Sequence, residues 1–512
     1  MSAAAIGGVA GIITVLEIFA ITFFVALNGW YLVLLVGAAI EMRQHRLLAQ
    51  GDTRMRILGS PLAPRISVLT AAFNEQATIA ESLNSLFGLH YPNVEIVIVN
   101  DGSRDGTLDV LRNDFGLKRI HTIFRRVLAT QRVRGLYRSA AHPDLIVIDK
   151  ENGGRADAMN AALNVATGDF VCVIDADTLI EPDGLRRMLR PFLDSADVLG
   201  VGGTIRIANG STFRDGRIVE TRVPRRPIAG IQVVEYLRAF LFGRLGWNRA
   251  GGNLIVSGAF GLFRRQALID VGGFCHDSIG EDFELVMRLR TNAYEKGGPH
   301  RIVFTPDPVA WTEAPESAAI LGRQRDRWHR GLTDVVLRYR RVLFNPKYRV
   351  MGVLVFPHYA ILELLAPVVE AAGMLALIAA ALLGILNGPF AVLFFLAAWG
   401  FGAALTLFTL LLEQLTFRRY ERLSDKLMLA VWTIAEGLGY RQMTVFWRLR
   451  GLWKFILGRT EWGVMERTGF QQQTPAQPGV QAALAGAATR SPATVAAPTV
   501  PVSRVQAGRL AG

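Results

Sequence analysis

The sequence predicts an α/β domain, a mainly parallel sheet with helices on both faces, set between membrane-spanning helices. Two observations predict it. Between residues 61 and 340, short β-branched runs alternate with helix-like stretches, which is the pattern of βαβ units. On either side, the chain becomes apolar over lengths that match a bilayer. Composition bounds the reading. Of 512 residues, 51% are hydrophobic and 19% charged, which excludes a mostly disordered chain. Lys+Arg 56 against Asp+Glu 43 leaves a net charge of +13. That excess alone resembles a nucleic-acid binder's, but the positive mean hydropathy argues against a soluble one, and no nucleic-acid partner is expected. Cys172 and Cys275 have neither CxxC nor zinc-ligand spacing and read as small buried hydrophobes.

Taken in order, residues 1–42 are the first expected unit, an N-terminal transmembrane helix. From Ile6 to Ile40 the only charged residue is Glu17. A hydrocarbon core needs ~20 apolar residues as helix, so the run spans once, and it is too long for a secretory signal. Arg43, His45 and Arg46 follow it, so the positive-inside rule places the next segment in the cytoplasm. The globular unit is expected over 61–340. Strands are read at ISVLTAA (66–72), EIVIVND (95–101), LIVID (145–149) and FVCVIDAD (170–177), and helices at Glu75–Phe87 and 155–166. In such sheets ligands bind at the carboxyl ends of the strands. The Arg-rich segment 119–144 reads as an insertion with no assignable motif.

Residues 350–460 are expected to hold a hairpin of two spanning helices, turning at Asn387-Gly388-Pro389, followed by amphipathic interfacial helices. Segment 427–457 mixes Glu436, Arg441, Arg448, Arg450 and Lys454 with Trp, Leu and Phe, which favours the interface over a third span. The Gln, Ala, Pro, Thr and Gly of 471–512 read as a disordered tail. Basic clusters at 43–56, 119–138, 323–349, 417–426 and 441–459 all fall on segments expected at the cytoplasmic face. The expected location is a cell inner membrane, multi-pass, with the catalytic domain cytoplasmic.

Six short motifs carry chemistry. Asn74 and Glu75 of FNE follow the first strand, and Asp101 of NDGS ends the second, where a carboxylate can accept from a ribose or base. NDGS is equally a plain turn sequence. Lys150 and Arg155 flank Gly153-Gly154 before a helix, a plausible phosphate site or simply a capped helix. Asp175 and Asp177 of DAD offer hard oxygens to Mg²⁺ or Mn²⁺ at a strand end. Ser257 and Gly258 are small enough for a sugar to lie against backbone. Glu281 and Asp282 open a helix, where acids are also ordinary dipole partners. Gln324, Arg327 and Trp328 of QRDRW stand at i, i+3 and i+4 and share a helix face. Arg327 can grip a diphosphate and Trp328 offers a flat platform for a sugar.

In this order, FNE, NDGS, NGGRA, DAD, GED and QRDRW resemble the motif series of membrane-bound processive enzymes of glycosyltransferase family 2. That group includes cellulose, hyaluronan, chitin and poly-N-acetylglucosamine synthases, and the pattern looks closest to the bacterial poly-N-acetylglucosamine synthase-like enzymes. The resemblance covers about residues 61–340. It implies a GT-A fold and inverting transfer from a UDP-sugar, UDP-N-acetylglucosamine or UDP-glucose, to a growing β-linked polysaccharide, coupled to export. The alternative is transfer of one sugar to a membrane lipid carrier. It implies accessory export subunits as further partners. It also implies roles: Asn74, Glu75 and Asp101 at the nucleoside, and Lys150, Arg155 and Asp175 near the nucleotide. Asp177 would be principal metal ligand, Asp282 general base with Glu281 beside it, and Gln324, Arg327 and Trp328 would hold diphosphate and acceptor. Four features depart from the common pattern: Phe73 where Tyr is frequent, DAD in place of the all-acid or Ser-centred triplets of some relatives, Arg155 where Lys is frequent, and Gly280 where cellulose synthases usually have Thr.

Overall fold

The computed structural model describes residues 3–49, 58–122, 124–214 and 216–459. The expected tail at 471–512 lies outside the described residues. Helix α1 (Ala3–Ala49) leads into β1 (Ile66–Ala72), α2 (Ile79–Phe87), β2 (Val94–Asp101), α3 (Thr107–Asp114) and β3 (Leu117–Ile120). Then come β4 (Val133–Ser139), β5 (Leu145–Lys150), α4 (Arg155–Val165), β6 (Phe170–Asp175), β7 (Leu179–Ile180) and α5 (Gly184–Asp194). After β8 (Val198–Ile207), strands β9 (Thr212–Arg214) and β10 (Arg217–Glu220) make a small separate hairpin. Next are α6 (Pro227–Arg238), β11 (Phe260–Arg264), α7 (Glu281–Lys296), β12 (Arg301–Thr312) and α8 (Ala318–Arg338). Four further helical segments follow among the described residues: α9 (Met351–Leu382), α10 (Gly388–Thr416), α11 (Leu423–Ala435) and α12 (Arg441–Ile456).

The main sheet has ten strands in the order β3-β4-β5-β2-β1-β6-β11-β8-β12-β7. Its centre, β5-β2-β1-β6, is parallel, as is β8-β12. The β3-β4, β4-β5, β6-β11, β11-β8 and β12-β7 pairs are antiparallel. The sheet is therefore mixed, and the mainly parallel expectation holds for the centre. The segment read as an insertion supplies β4. Only residues 140–144 separate β4 from β5, too few for the crossover that a parallel pair requires, so the two strands form a hairpin. The central strands alternate between two buried faces. Ile66, Val68, Ile96 and Ile98 pack with α2 and α3 on one side, whereas Leu69, Val97 and Val99 pack with α4 and α7 on the other. Burial on both faces is what makes these strands near-continuous apolar runs.

Helix α2 starts at Ile79 rather than at the expected Glu75. The backbone N–H groups of Asn74, Glu75 and Gln76 donate to Ser103 Oγ, Thr107 Oγ1 and Asp105, which holds this stretch as a loop stitched to the one after β2. Among the described residues, three helical segments are long and apolar enough to cross a membrane: Gly8–Leu47, Met351–Leu382 and Gly388–Thr416. Helices α11 and α12 are shorter, at 13 and 16 residues, and neither meets that length. The sheet is tied to these helices by Arg206 of β8, whose Nη2 lies 2.8 Å from Glu413 of α10 with both side chains buried. Such a pair gives back its desolvation cost only in good geometry, so it fixes position more than it adds stability.

Candidate active site

The parallel register brings the carboxyl ends of the central strands level. Ala72 stands beside Asn100, Ala71 beside Asp175, and Asp101 beside Lys150. A cleft of about 700 Å³ opens past these ends. Arg155, Asp175, Asp177, Gly258, Glu281, Asp282, Gln324, Arg327 and Trp328 all line it. The sequence expectation thus brings together residues from β6, the loop before β11, and helices α4, α7 and α8.

Asn74, Glu75, Asp101, Lys150 and Ser257 do not line the cleft. Asn74 and Glu75 organise their own loop: Asn74 Oδ1 accepts from the Arg104 N–H at 2.8 Å, and Glu75 Oε2 accepts from Thr78 Oγ1 at 2.7 Å. Asn74 does so at φ 59°, a left-handed conformation that Asn tolerates better than most residues. Asp101 accepts from Gly153 N at 3.1 Å and Gly154 N at 2.8 Å. Its Oδ1 also lies 2.5 Å from Lys150 Nζ, which is fully buried and reaches Asp157 Oδ1 at 2.5 Å. Lys150, expected near the nucleotide or its phosphates, has its ammonium placed by adjacent register between two buried carboxylates. The two glycines of NGGRA serve this same knot. Gly154 has φ +84°, and a Cβ on Gly153 would meet Asp157 at 2.6 Å. Ser257 Oγ accepts from the Ala259 N–H, and its neighbour Gly258 presents the backbone instead.

Arg155 is the hub of the cleft floor. Its Nη2 lies 2.9 Å from Asp175 Oδ1, its Nη1 2.9 Å from Glu281 Oε1, and its Nη2 also donates to Gly258 O at 2.6 Å. Burial opposes its charge, but Asp175, Glu281 and Asp282 outweigh burial and hold its pKa above the ordinary value. Burial pushes the Glu281 carboxyl up, Arg155 pulls it back, and Asp282 raises it again. Arg327 is lowered by burial, with Glu281, Asp175 and Asp282 opposing. Acids and guanidinium groups thus interleave across the cleft floor.

Helix α8 carries its motif on two faces. Gln324, Arg327 and Trp328 face the cleft, and Gln324 Oε1 is buried without a hydrogen-bond partner among the described residues. Trp328 keeps 43% of its surface exposed, and Arg325 stacks over its ring at 4.6 Å while pairing with Glu235. Asp326 points the other way. Its buried carboxylate receives Arg330 of α8 at 2.8 Å, and Arg450 and Lys454 of α12 at 3.0 and 2.7 Å. The departure at Gly280 also has a local reason: a Cβ there would meet the Gly331 backbone at 3.2 Å, so two glycines let the start of α7 touch α8.

Sequence reasoning missed Tyr236, Arg244, Tyr359 and Glu363, which also line the cleft. Glu363 had a signal, as one of two acids, with Glu370, in a largely apolar spanning segment. Arg244 had another, a lone cation within AFLFGRLGW. These four residues, with Ile255 and Trp328, also line a second cavity of about 520 Å³. That cavity runs among the membrane-type helices, against Phe24, Tyr31, His358 and Trp399.

Residues 64–331 match the family model described as "Glycosyltransferase like family 2". The chain is 30% identical over 274 residues to poly-beta-1,6-N-acetyl-D-glucosamine synthase of Staphylococcus aureus (strain COL), covering 53% of this chain and 56% of that protein. It is 31% identical over 274 residues to the Staphylococcus epidermidis synthase of the same name, with the same shares covered. The chain thus spans about half the length of the curated relatives it matches. Among solved structures it is similar to the mannosyltransferase PcManGT from Pyrobaculum calidifontis in complex with GDP-Man and Mn²⁺, at 22% identity and a TM-score of 0.44, covering 82% of this chain and 99% of that one. It is also similar to S. aureus TarS 1-349 in complex with UDP-GlcNAc, at 17% identity and a TM-score of 0.34, covering 74% and 92%.

Proposed function

The chain belongs to glycosyltransferase like family 2, with a GT-A fold beside the three membrane-length helices of its described residues, and from that premise we propose that it extends a β-linked polysaccharide from a UDP-sugar. The donor in this reading is UDP-N-acetylglucosamine, the sugar unit in the curated relatives' name. One observation carries it. The cleft that gathers Asp175, Asp177, Asp282 and Arg327 shares a wall with the cavity among the membrane helices, so a product has a lined path away from the reacting end. The catalytic domain then lies in the cytoplasm and the polymer leaves through the inner membrane.

The chemistry is displacement at the anomeric carbon through an oxocarbenium-like state. Asp282 takes the acceptor hydroxyl proton on one face of the sugar. Arg327 and Gln324 hold the diphosphate on the other, and Trp328 supports the acceptor ring. This arrangement inverts an α-donor to a β-linkage. Asp175 and Asp177 fit a hard divalent cation, because Mg²⁺ is usually held by one or two carboxylates plus substrate phosphates. No cluster of three or more His, Cys, Asp or Glu suited to a metal occurs among the described residues, so the remaining ligands would be the diphosphate and water. Mg²⁺ or Mn²⁺, when bound, supplies positive charge to the leaving group.

The reading is tested by incubating membranes with a panel of labelled UDP-sugars and sizing the product. A polymer is expected; a single sugar on an extractable lipid would replace this reading with the lipid-carrier one. The metal site has its own test. In Asp177→Ala, calorimetry in Mn²⁺ should find UDP binding weakened by about 10–100-fold, with its dependence on Mn²⁺ gone. UDP affinity that still responds to Mn²⁺ as in the parent chain would move the ligand role elsewhere.

A further inference from the structure

After Arg238, helix α6 continues through a π-helical stretch, Ala239–Arg244, before the chain returns to α-helix at Leu245. A π turn accommodates an extra residue and re-aims the side chains around it, and such turns recur at functional sites. Here Arg244 sits on the wall common to the cleft and the membrane-side cavity.

The other arginines of that second cavity are neutralised. Arg238 pairs with Glu436, Arg325 with Glu235, Arg441 with Glu370 and Arg448 with Glu363. Among the described residues Arg244 has no such ion pair, and its Nη1 is buried without a hydrogen-bond acceptor. Its Cζ lies 4.2 Å from the Phe240 ring centroid and 5.9 Å from that of Phe304. Those rings hold the guanidinium in place but accept little from its N–H groups. Burial pushes its pKa below the ordinary value, and Tyr359, Asp282 and Tyr236 offset part of this. Leaving a buried donor of this kind unmade is costly, so the position suits an acceptor that arrives from outside the fold.

We propose that Arg244 binds the acceptor polymer, donating to hydroxyl or acyl carbonyl oxygens of the glycosyl unit that has just left the catalytic cleft. It thereby retains the chain between additions. The proposal rests on the polymer-forming reading above. Tyr236, Trp328 and Tyr359 on the same wall give the sugar apolar faces, and Arg244 gives it a polar anchor. A guanidinium has five donors and no acceptor, so it repels a free ammonium. The unit passing it therefore carries any nitrogen in acylated form.

The test compares the parent chain with Arg244→Met and Arg244→Lys in membranes supplied with labelled UDP-N-acetylglucosamine. Product length is read beside UDP binding by calorimetry. Loss of a charge-assisted hydrogen bond speeds release by roughly tenfold or more, so Arg244→Met should give correspondingly shorter chains. UDP affinity should stay within about twofold of the parent. Arg244→Lys, which keeps the cation without the fork, should give intermediate lengths, and it reads the same effect if the Met variant does not fold. Unchanged length from a folded variant beside a polymerising parent overturns this proposal alone. A roughly tenfold fall in UDP affinity places Arg244 on the diphosphate and also overturns it. A single-sugar product from the parent chain overturns the polymer reading, and this proposal with it.

Discussion

Asp282→Asn is expected to lower glycosyl transfer by about 10²–10⁴-fold, the range for loss of a positioned general base, while UDP binding persists. The substitution is close to isosteric. Asp282 Oδ1 accepts from the Phe283 N–H at 2.8 Å, and Oδ2 accepts from the Gly258 N–H at 3.3 Å. An amide keeps the first contact through its oxygen and keeps the volume, but it cannot take a proton from a hydroxyl. Arg155 retains Asp175 and Glu281, so the cleft floor stays assembled. The measurement pairs UDP release under turnover with calorimetric UDP binding in the same preparation. Turnover equal to that of the parent chain would refute the base assignment. Glu281→Gln is the informative companion. It removes an ion-pair partner of Arg155, and should therefore disturb donor binding as well as rate.

The second large effect is structural. Lys150→Met is expected to destabilise the domain by about 3–5 kcal/mol, because removing one member of a buried ionic cluster leaves the others uncompensated. Two carboxylates converge on this one ammonium, Asp101 and Asp157, each at 2.5 Å. Both also fix neighbouring backbone: Asp101 accepts from Gly153 N and Gly154 N, and Asp157 accepts from Gln131 N at 2.9 Å. Thermal unfolding in detergent should show the loss, and adding Asp157→Asn to the same chain should recover part of it. Normal stability with weakened UDP binding is the contrary outcome, and would return Lys150 to the phosphate role that the resemblance implies.

Lys150 also marks where the sequence stops being legible. The motif NGGRA places two cations beside two glycines, and spacing alone cannot say which one the fold directs into the cleft. That depends on strand register, which pairs Lys150 with Asp101 and leaves Arg155 to the floor. The central strands were readable because burial on both faces makes them unbroken apolar runs. Strand β4 was not: its exposed Arg134 and Arg138 give it the charged character of a strand near a sheet edge, which resembles a loop in one dimension. Strand β12 contains Pro306 and Pro308, and its pairing with β8 slips there, so neither a clean alternation nor an apolar run announces it. The cleft-facing residues of α8 could be read from i, i+3 and i+4 spacing, whereas Glu281 and Asp282 of α7 are simply adjacent at its start. Tyr236, Arg244 and Tyr359 belong to no motif, and only the packing of distant segments brings them to one wall.

The back face of α8 bears on how a reaction of this kind would advance. With Asp326 gripped by Arg330, Arg450 and Lys454, and with Gly451 packed against the Asp326 carbonyl, α8 and α12 behave as one braced strut. Rolling or sliding α8 would strand Arg450 and Lys454 together, while Arg330 travels with its own helix. Trp328 is therefore a fixed mark on the frame rather than a moving arm. In the proposed reaction, stepping belongs to the sugar chain, and the length of each step is set by the repeat of the polymer measured against a stationary ring.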